Sequence, residues 1–240
     1  MNKQTGDKNQ ATFLQLLQFA DSTLPIGAQA HSFGLETLTV EGVLTAENLE
    51  PFLHDYVQEI GAVDALFCRA AYVLATESDV EVFDAEWLTL NCRLSALRNA
   101  RESRAASATL GRRFLTLAAG LTQDARLQLA QQSAKQAGVD LHYVTAFGLV
   151  GGILGLGEEA TILACLQQSV TSLLSALQKL LPIGQSQIVD LLWQLKPALL
   201  EAANRGHAAD WHDVGLPSFG LLTEIAAMRH ATLPVRLFIS

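Results

Sequence analysis

The residues best suited to chemistry fall between positions 207 and 213, in the run His207-Ala-Ala-Asp210-Trp-His212-Asp213. Two imidazoles and two carboxylates so close together could hold a borderline divalent ion such as nickel or zinc. The i, i+5 spacing of the histidines does not put both on one helix face, so the segment would have to fold around the metal. The competing reading is a solvated polar loop. His31, His54, His142 and His230 each stand alone, as packed or capping histidines commonly do.

A second candidate is the glycine run Gly148, Gly151, Gly152, Gly155 and Gly157. A phosphate-binding loop needs a Gly-Lys-Ser/Thr ending to reach the phosphates and magnesium, and no lysine lies nearby. A dinucleotide site needs a strand before it and a βαβ frame around it, and neither is present. The i, i+4 spacing of these glycines instead lets helices approach closely. No Gly-x-Ser-x-Gly elbow occurs. The pairs Glu158/Glu159 and Glu36/Glu41 lack environments that would separate two pKa values. The chain therefore reads as a non-enzyme, with a small helical cofactor-binding enzyme as the alternative.

Arg93, Arg98, Arg101, Arg104, Arg112 and Arg113 crowd one segment, with Glu102 the only acidic residue among them. They form either a solvated helix face or a docking surface that steers an acidic partner. The overall net charge of −8 argues against nucleic acid as that partner. Cys68, Cys92 and Cys165 are odd in number and far apart, which fits free thiols in a reducing compartment. The first ten residues are polar and lack a secretory pattern. The longest apolar stretch, Tyr143 to Gly157, falls short of the roughly 20 residues a bilayer span needs. No membrane association is expected, and the location expected is the cytoplasm.

These groups must be positioned by helices. Apolar residues make up 50% of the 240 and charged residues only 17%, so a large core is expected, with a surface that a partner could partly cover. Phe13, Leu16, Leu17 and Ala20 follow the helical i, i+3, i+4, i+7 template. Thr45 is positioned to cap a helix whose first turn holds Pro51. Gly61 is a weak break, helices cover 62–75 and 84–97, and the arginine-rich segment runs on to about Ala119. Asp124 to Gln136 is amphipathic and stops at Gly138. His142 to Leu156 is apolar all round, the mark of a central helix. Glu158 and Glu159 suit the start of the next helix, which ends at Pro182. Ile188 to Leu195 follows, Pro197 kinks it or opens another helix, and 204–217 reads as a polar loop before a last helix over 218–231. The expectation is one all-α domain of about ten helices at 11–228, preceded by a flexible polar segment (1–10) and followed by a tail (229–240).

Two places carry specific wording without reactive groups. One is the turn from Asp21 to Glu36, where Pro25 presets φ and Gly27 permits positive φ. The other is the tail from Met228, through Arg229 and His230, to Arg236-Leu237-Phe238-Ile239-Ser240. Chain ends are usually polar and frayed. One this apolar either tucks into its own core or docks into a partner, and aromatic-plus-arginine anchors are common at interface hot spots.

Pro25, Ile26, Gly27, Ser32, Gly34, Leu35 and Glu36 resemble the N-terminal signature of the UreF family of urease accessory proteins, with Gln29 where an aromatic is common. Arg229, His230, Arg236, Leu237 and Phe238 resemble its closing motif. Leu181-Pro182-Ile183-Gly184-Gln185 resembles its Pro-Leu-Gly-Gln turn, although Ser186-Gln187 replaces the second Gly-Gln. Looser likenesses are His142 to Gly148 and Ser107 to Gly111, so the matches run in order along nearly the whole chain.

The resemblance implies a helical, non-catalytic, dimeric factor for assembling urease's nickel centre. It implies an adaptor that binds UreD (also called UreH) against apo-urease and engages the nickel-carrying GTPase UreG. No cofactor is then expected on the chain itself, since nickel and GTP enter through partners. Pro25, Gly27, Ser32, Gly34, Glu36, Gln185, Arg229, His230, Arg236, Leu237 and Phe238 are the implied partner-binding residues. Two other readings stay open beside this one. One is a nickel carrier using His207, Asp210, His212 and Asp213, and the other is a GTPase activator using an arginine from 93–113.

Overall fold

A computed structural model of the chain describes residues 2–213 and 220–240, with side chains from Gln10 onward. As the periodicity predicts, it is all-α, with no strand among the described residues. The helices are α1 (Asn2–Phe19), α2 (Leu35–Val40), α3 (Leu49–Tyr56), α4 (Ala62–Leu74), α5 (Val80–Leu97), α6 (Arg101–Thr122), α7 (Ala125–Ala137), α8 (Tyr143–Leu154), α9 (Glu158–Leu180), α10 (Gln185–Gln194), α11 (Lys196–Ala208) and α12 (Leu221–His230). A π turn, Val57–Gly61, joins α3 to α4 in one continuous rod, and this is the weak break expected at Gly61.

The apolar helix α8 is the centre of the domain, buried from Tyr143 through Gly151. Its glycines let its neighbours in. A Cβ on Gly148 would sit 2.0 Å from the Cys68 carbonyl oxygen of α4, and one on Gly151 would sit 2.3 Å from Thr161 Cγ2 of α9. Gly148, Gly151 and Gly152 therefore serve helix packing, while Gly155 and Gly157 take positive φ in the turn from α8 to α9. Phe114 of α6 completes the centre, with its ring 5.3 Å from Phe147, 5.4 Å from Tyr143 and 5.7 Å from Phe19. By length and composition α9 could cross a membrane, yet 56% of its most apolar window is buried inside the domain.

One polar cluster is folded into this core. Asn91 Oδ1 accepts from the His142 amide at 3.1 Å and the Thr145 hydroxyl at 2.7 Å, anchoring the start of α8. The His142 ring lies between the hydroxyls of Ser95 (2.7 Å) and Ser107 (3.1 Å). Burial, reinforced by the charges of Arg98 and Arg104, pushes its pKa down to about 3, so this imidazole is neutral.

Several boundaries differ from expectation for local reasons. The backbone of α1 is helical from Asn2, ahead of the apolar stripe that begins at Phe13. Asn48, rather than Thr45, precedes α3, and its Oδ1 accepts the Thr45 amide at 2.8 Å to close a turn. The arginine-rich segment is not one helix but breaks at 98–100 between α5 and α6. Arg104 spans that break by donating to the Arg98 carbonyl at 2.8 Å. Pro197 opens α11, which continues to Ala208 and takes in the first part of the expected polar loop. The expected start of the last helix at Ser218 lies outside the described residues, and α12 is helical from Leu221.

Candidate partner-binding site

The Pro25–Glu36 turn and the C-terminal tail, read from sequence as two elements, form one structure. The turn is built by local rules. Asp21 Oδ1 accepts the Thr23 amide at 2.7 Å, and Gly27 takes φ +85° to enter a short 3-10 helix, Ala28–Ala30. Arg113 of α6 holds this bend by donating to the Ile26 carbonyl at 3.1 Å, and a Cβ on Gly27 would strike the same guanidinium. Gly34, at φ +88°, then starts α2 directly beneath α12. A Cβ there would lie 2.5 Å from the Thr223 carbonyl oxygen and 2.9 Å from the Ala227 nitrogen. Only glycine satisfies both the backbone angle and the contact.

The tail returns across this turn. The Ile239 amide donates to the Ala30 carbonyl at 2.9 Å, and the Ser32 amide (2.5 Å) and hydroxyl (2.9 Å) both donate to the Ser240 carbonyl. The Ser240 hydroxyl lies 2.8 Å from His31 Nδ1. Glu36 is the centre of the junction. Its Oε1 accepts the Leu237 amide at 2.6 Å, and its Oε2 accepts the Phe238 amide at 3.2 Å and faces His230 Nε2 at 2.8 Å. Burial pushes the Glu36 pKa up, but the two tail amides and the imidazole outweigh it and hold the group below the ordinary carboxylate value.

The other His230 nitrogen, Nδ1, lies 2.8 Å from Glu102 Oε2 of α6. The ring therefore faces a carboxylate oxygen at each of its two nitrogens. His230 thus joins α12, α2 and α6 with no exposed surface of its own. Arg229 adds an ion pair of 2.6 Å to Glu41 at the end of α2, and Glu224 accepts the Ala100 amide at the start of α6.

Burial sorts the tail residues into an inward and an outward set. Phe238 and Ser240 are buried, and Lys179 lies 5.5 Å over the Phe238 ring. Val235, Leu237 and Ile239 point outward and are 74%, 68% and 70% exposed. Leu221, Ile225 and Met228 of α12 recur at helical spacing and are also half exposed. Arg236 is exposed, and no ion pair holds it among the described residues. Together these residues make an apolar surface with a cation.

The remaining candidates are placed elsewhere. Gln185 opens α10 and accepts from Gln178 at 3.0 Å; its hydrogen bonding runs to α9, not to the tail. His207 and His212 do not converge. His207, on α11, faces Glu158 at 3.3 Å, whereas His212 faces Asp210 at 3.0 Å and Glu86 at 3.3 Å. Among the described residues, no group of three or more His, Cys, Asp or Glu side chains is arranged to hold a metal, Asp213 included. The arginine cluster is split as well. Arg98 pairs with Asp64 at 2.8 Å, Arg104 and Arg113 hold backbone carbonyls, and Arg93 lies 5.9 Å over Trp211.

Glu102, Ser240 and Lys179 are the site residues that sequence reasoning passed over. Each acts on a residue more than 50 positions away, so local pattern carries no sign of it.

Comparison with known proteins places the sequence in a family. The UreF family model matches residues 43–196. The urease accessory protein UreF of Lachnoclostridium phytofermentans is 34% identical over 95% of this chain and 98% of its own length. Those of Geobacillus kaustophilus and of a Nostoc strain are 33% and 35% identical, over 95% and 94% of this chain and 97% and 95% of their own lengths. The relatives extend over nearly the whole chain, beyond the span of the family model.

Proposed function

The chain belongs to the UreF family of urease accessory proteins and so has a role in urease maturation, and on that premise we propose that it is the adaptor of the process. In this reading it binds UreD/UreH through the C-terminal tail, meets the nickel-carrying GTPase UreG, and presents both to apo-urease. It works as a homodimer in the cytoplasm, performs no chemistry of its own, and couples the partner's GTP hydrolysis to nickel delivery.

The observation that carries the reading is the division of the tail into an anchored face and a presented face. Glu36 and Ser32 hold the inward face in register, and that leaves Val235, Leu237 and Ile239 outward beside Arg236. Holding an apolar strip in one conformation before a partner arrives lowers the ordering cost of binding. An enzyme would need convergent reactive groups, and the groups converging here are backbone amides and their acceptors. The nickel-carrier reading has no such support, since His207 and His212 pair with different carboxylates.

The test is a pull-down from urease-producing cells using the full chain and a chain lacking Val235–Ser240. UreD/UreH and UreG are expected with the full chain and lost with the shortened one. Unchanged recovery with the shortened chain would rule out the tail as the docking element.

A further inference from the structure

Beneath the turn lies a cavity of about 60 Å³, roofed by Ile26, Ala28 and Phe33 and floored by α8 and α9. A single water needs about 10–15 Å³ by the same kind of measure, so the space takes several non-hydrogen atoms. Its polar lining is one-sided. Arg98, Gln168 and Tyr143 all line it, and Arg98 Nε, Gln168 Nε2 and Tyr143 Oη are buried with no hydrogen-bond partner in the protein. Gln168 and Tyr143 are 3% and 6% exposed, so bulk solvent does not satisfy them. A buried donor without an acceptor costs about 1–3 kcal/mol, and three around one space call for an acceptor inside it.

The charges favour an anion over a cation. Arg98 gives its Nη2 to Asp64 at 2.8 Å, and its Nε is left without a partner. Asp64 lines the cavity as well, its carboxyl pushed up by burial against the pull of Arg98 and already engaged by the guanidinium. The hydroxyl-bearing residues Ser169 and Ser172 complete the wall on α9. A guanidinium edge, an amide and a phenol together match a flat oxygen acceptor.

We propose that this cavity binds a small planar oxyanion of three or four non-hydrogen atoms, of the nitrate or formate class, held by Arg98 Nε, Gln168 Nε2 and Tyr143 Oη. The site is separate from the outward tail surface, and the proposal does not depend on how that surface is used. Because Ile26, Ala28 and Phe33 are its roof, an occupant braces the turn from below.

The experiment is an NMR titration of the full chain with sodium nitrate, and separately with sodium formate, with chloride making up a constant ionic strength. The Gln168 side-chain amide and the Arg98 Nε–H resonances are expected to shift saturably with at least one of the two salts. Tyr143→Phe removes a hydroxyl that has no protein partner, so it should fold as well as the parent and shift the midpoint about tenfold higher. Gln168→Leu should do the same where it folds. Shifts that never saturate, that match those in chloride, or that are identical in Tyr143→Phe would overturn the site. So would crystals soaked in formate whose cavity shows ordered water alone.

Discussion

Glu36 and His230, separated by 194 positions in the chain, meet at 2.8 Å with side chains only 3% and 0% exposed. The carboxylate that receives the imidazole also receives the amides of Leu237 and Phe238. One side chain thereby sets both where α12 ends and the register in which the tail leaves it.

Glu36→Gln keeps the shape but leaves one oxygen to accept where two did, and it sets an amide NH2 against other donors. The expected loss is about 2–4 kcal/mol, because the change strands buried donors and a buried imidazole. Urea unfolding measures it. Hydrogen exchange at Leu237 and Phe238 should accelerate together, and an unchanged urea midpoint with unchanged exchange would refute this role.

Stability should fall on acidification in two windows. His142 is pushed from 6.5 down to about 3 when folded, so between those values the unfolded chain binds the extra proton. Its contribution is complete above pH 6.5 and is lost as pH falls toward 3. Glu36, held below its ordinary 4.5, contributes fully above that value and loses its contribution as pH falls through the lowered folded one. Thermal unfolding between pH 7.5 and 4 should show the first window in the parent. A His142→Asn variant should show a flatter profile there, and parallel profiles would count against a neutral, buried His142.

The legible parts of this molecule were those governed by neighbours in sequence. Asp124 and Gly138 bracket α7 because capping and left-handed termination act within four residues. The apolar circumference of α8 announces a central helix for the same reason. Turn and tail were each visible as unusual segments, but their union was not. Glu36 to Leu237 and Ser32 to Ser240 are joined only by the global chain path. The break at 98–100 was hidden because Arg98 and Asn99 carry no strong helix-stop signal, and a buried ion pair to Asp64 decides it. For the His207–Asp213 run the i, i+5 spacing already argued against one shared helix face, and His207 and His212 face different carboxylates.

Gly34 tests the crossing of α2 and α12. Gly34→Ala adds a Cβ 2.5 Å from the Thr223 carbonyl oxygen at φ +88°. Gly42→Ala is the control, since at φ +72° it meets nothing within 4 Å. The control should cost about 1 kcal/mol for its backbone angle alone. Gly34→Ala should cost at least about 2 kcal/mol more, because carbonyl and helix backbone cannot yield as a side chain can. Equal urea midpoints for the two variants would mean that α12 moves aside freely.

The two faces of the tail should separate folding from binding. Leu237 and Ile239 are 68% and 70% exposed, so Leu237→Ser with Ile239→Ser should change folding stability by about 0.5 kcal/mol or less. Phe238 is 6% exposed beneath Lys179, and Phe238→Ala should cost about 2–4 kcal/mol and loosen the tail. In the pull-down, the double serine variant should lose UreD/UreH while unfolding like the parent. Phe238→Ala should lose both stability and partner. Arg236→Ala bears on the cation separately: it should leave stability unchanged and reduce recovery of UreG more than of UreD/UreH. If the double serine variant still recovered UreD/UreH at the parent's level, the outward apolar strip would not be the docking face, whatever Phe238→Ala did to the fold.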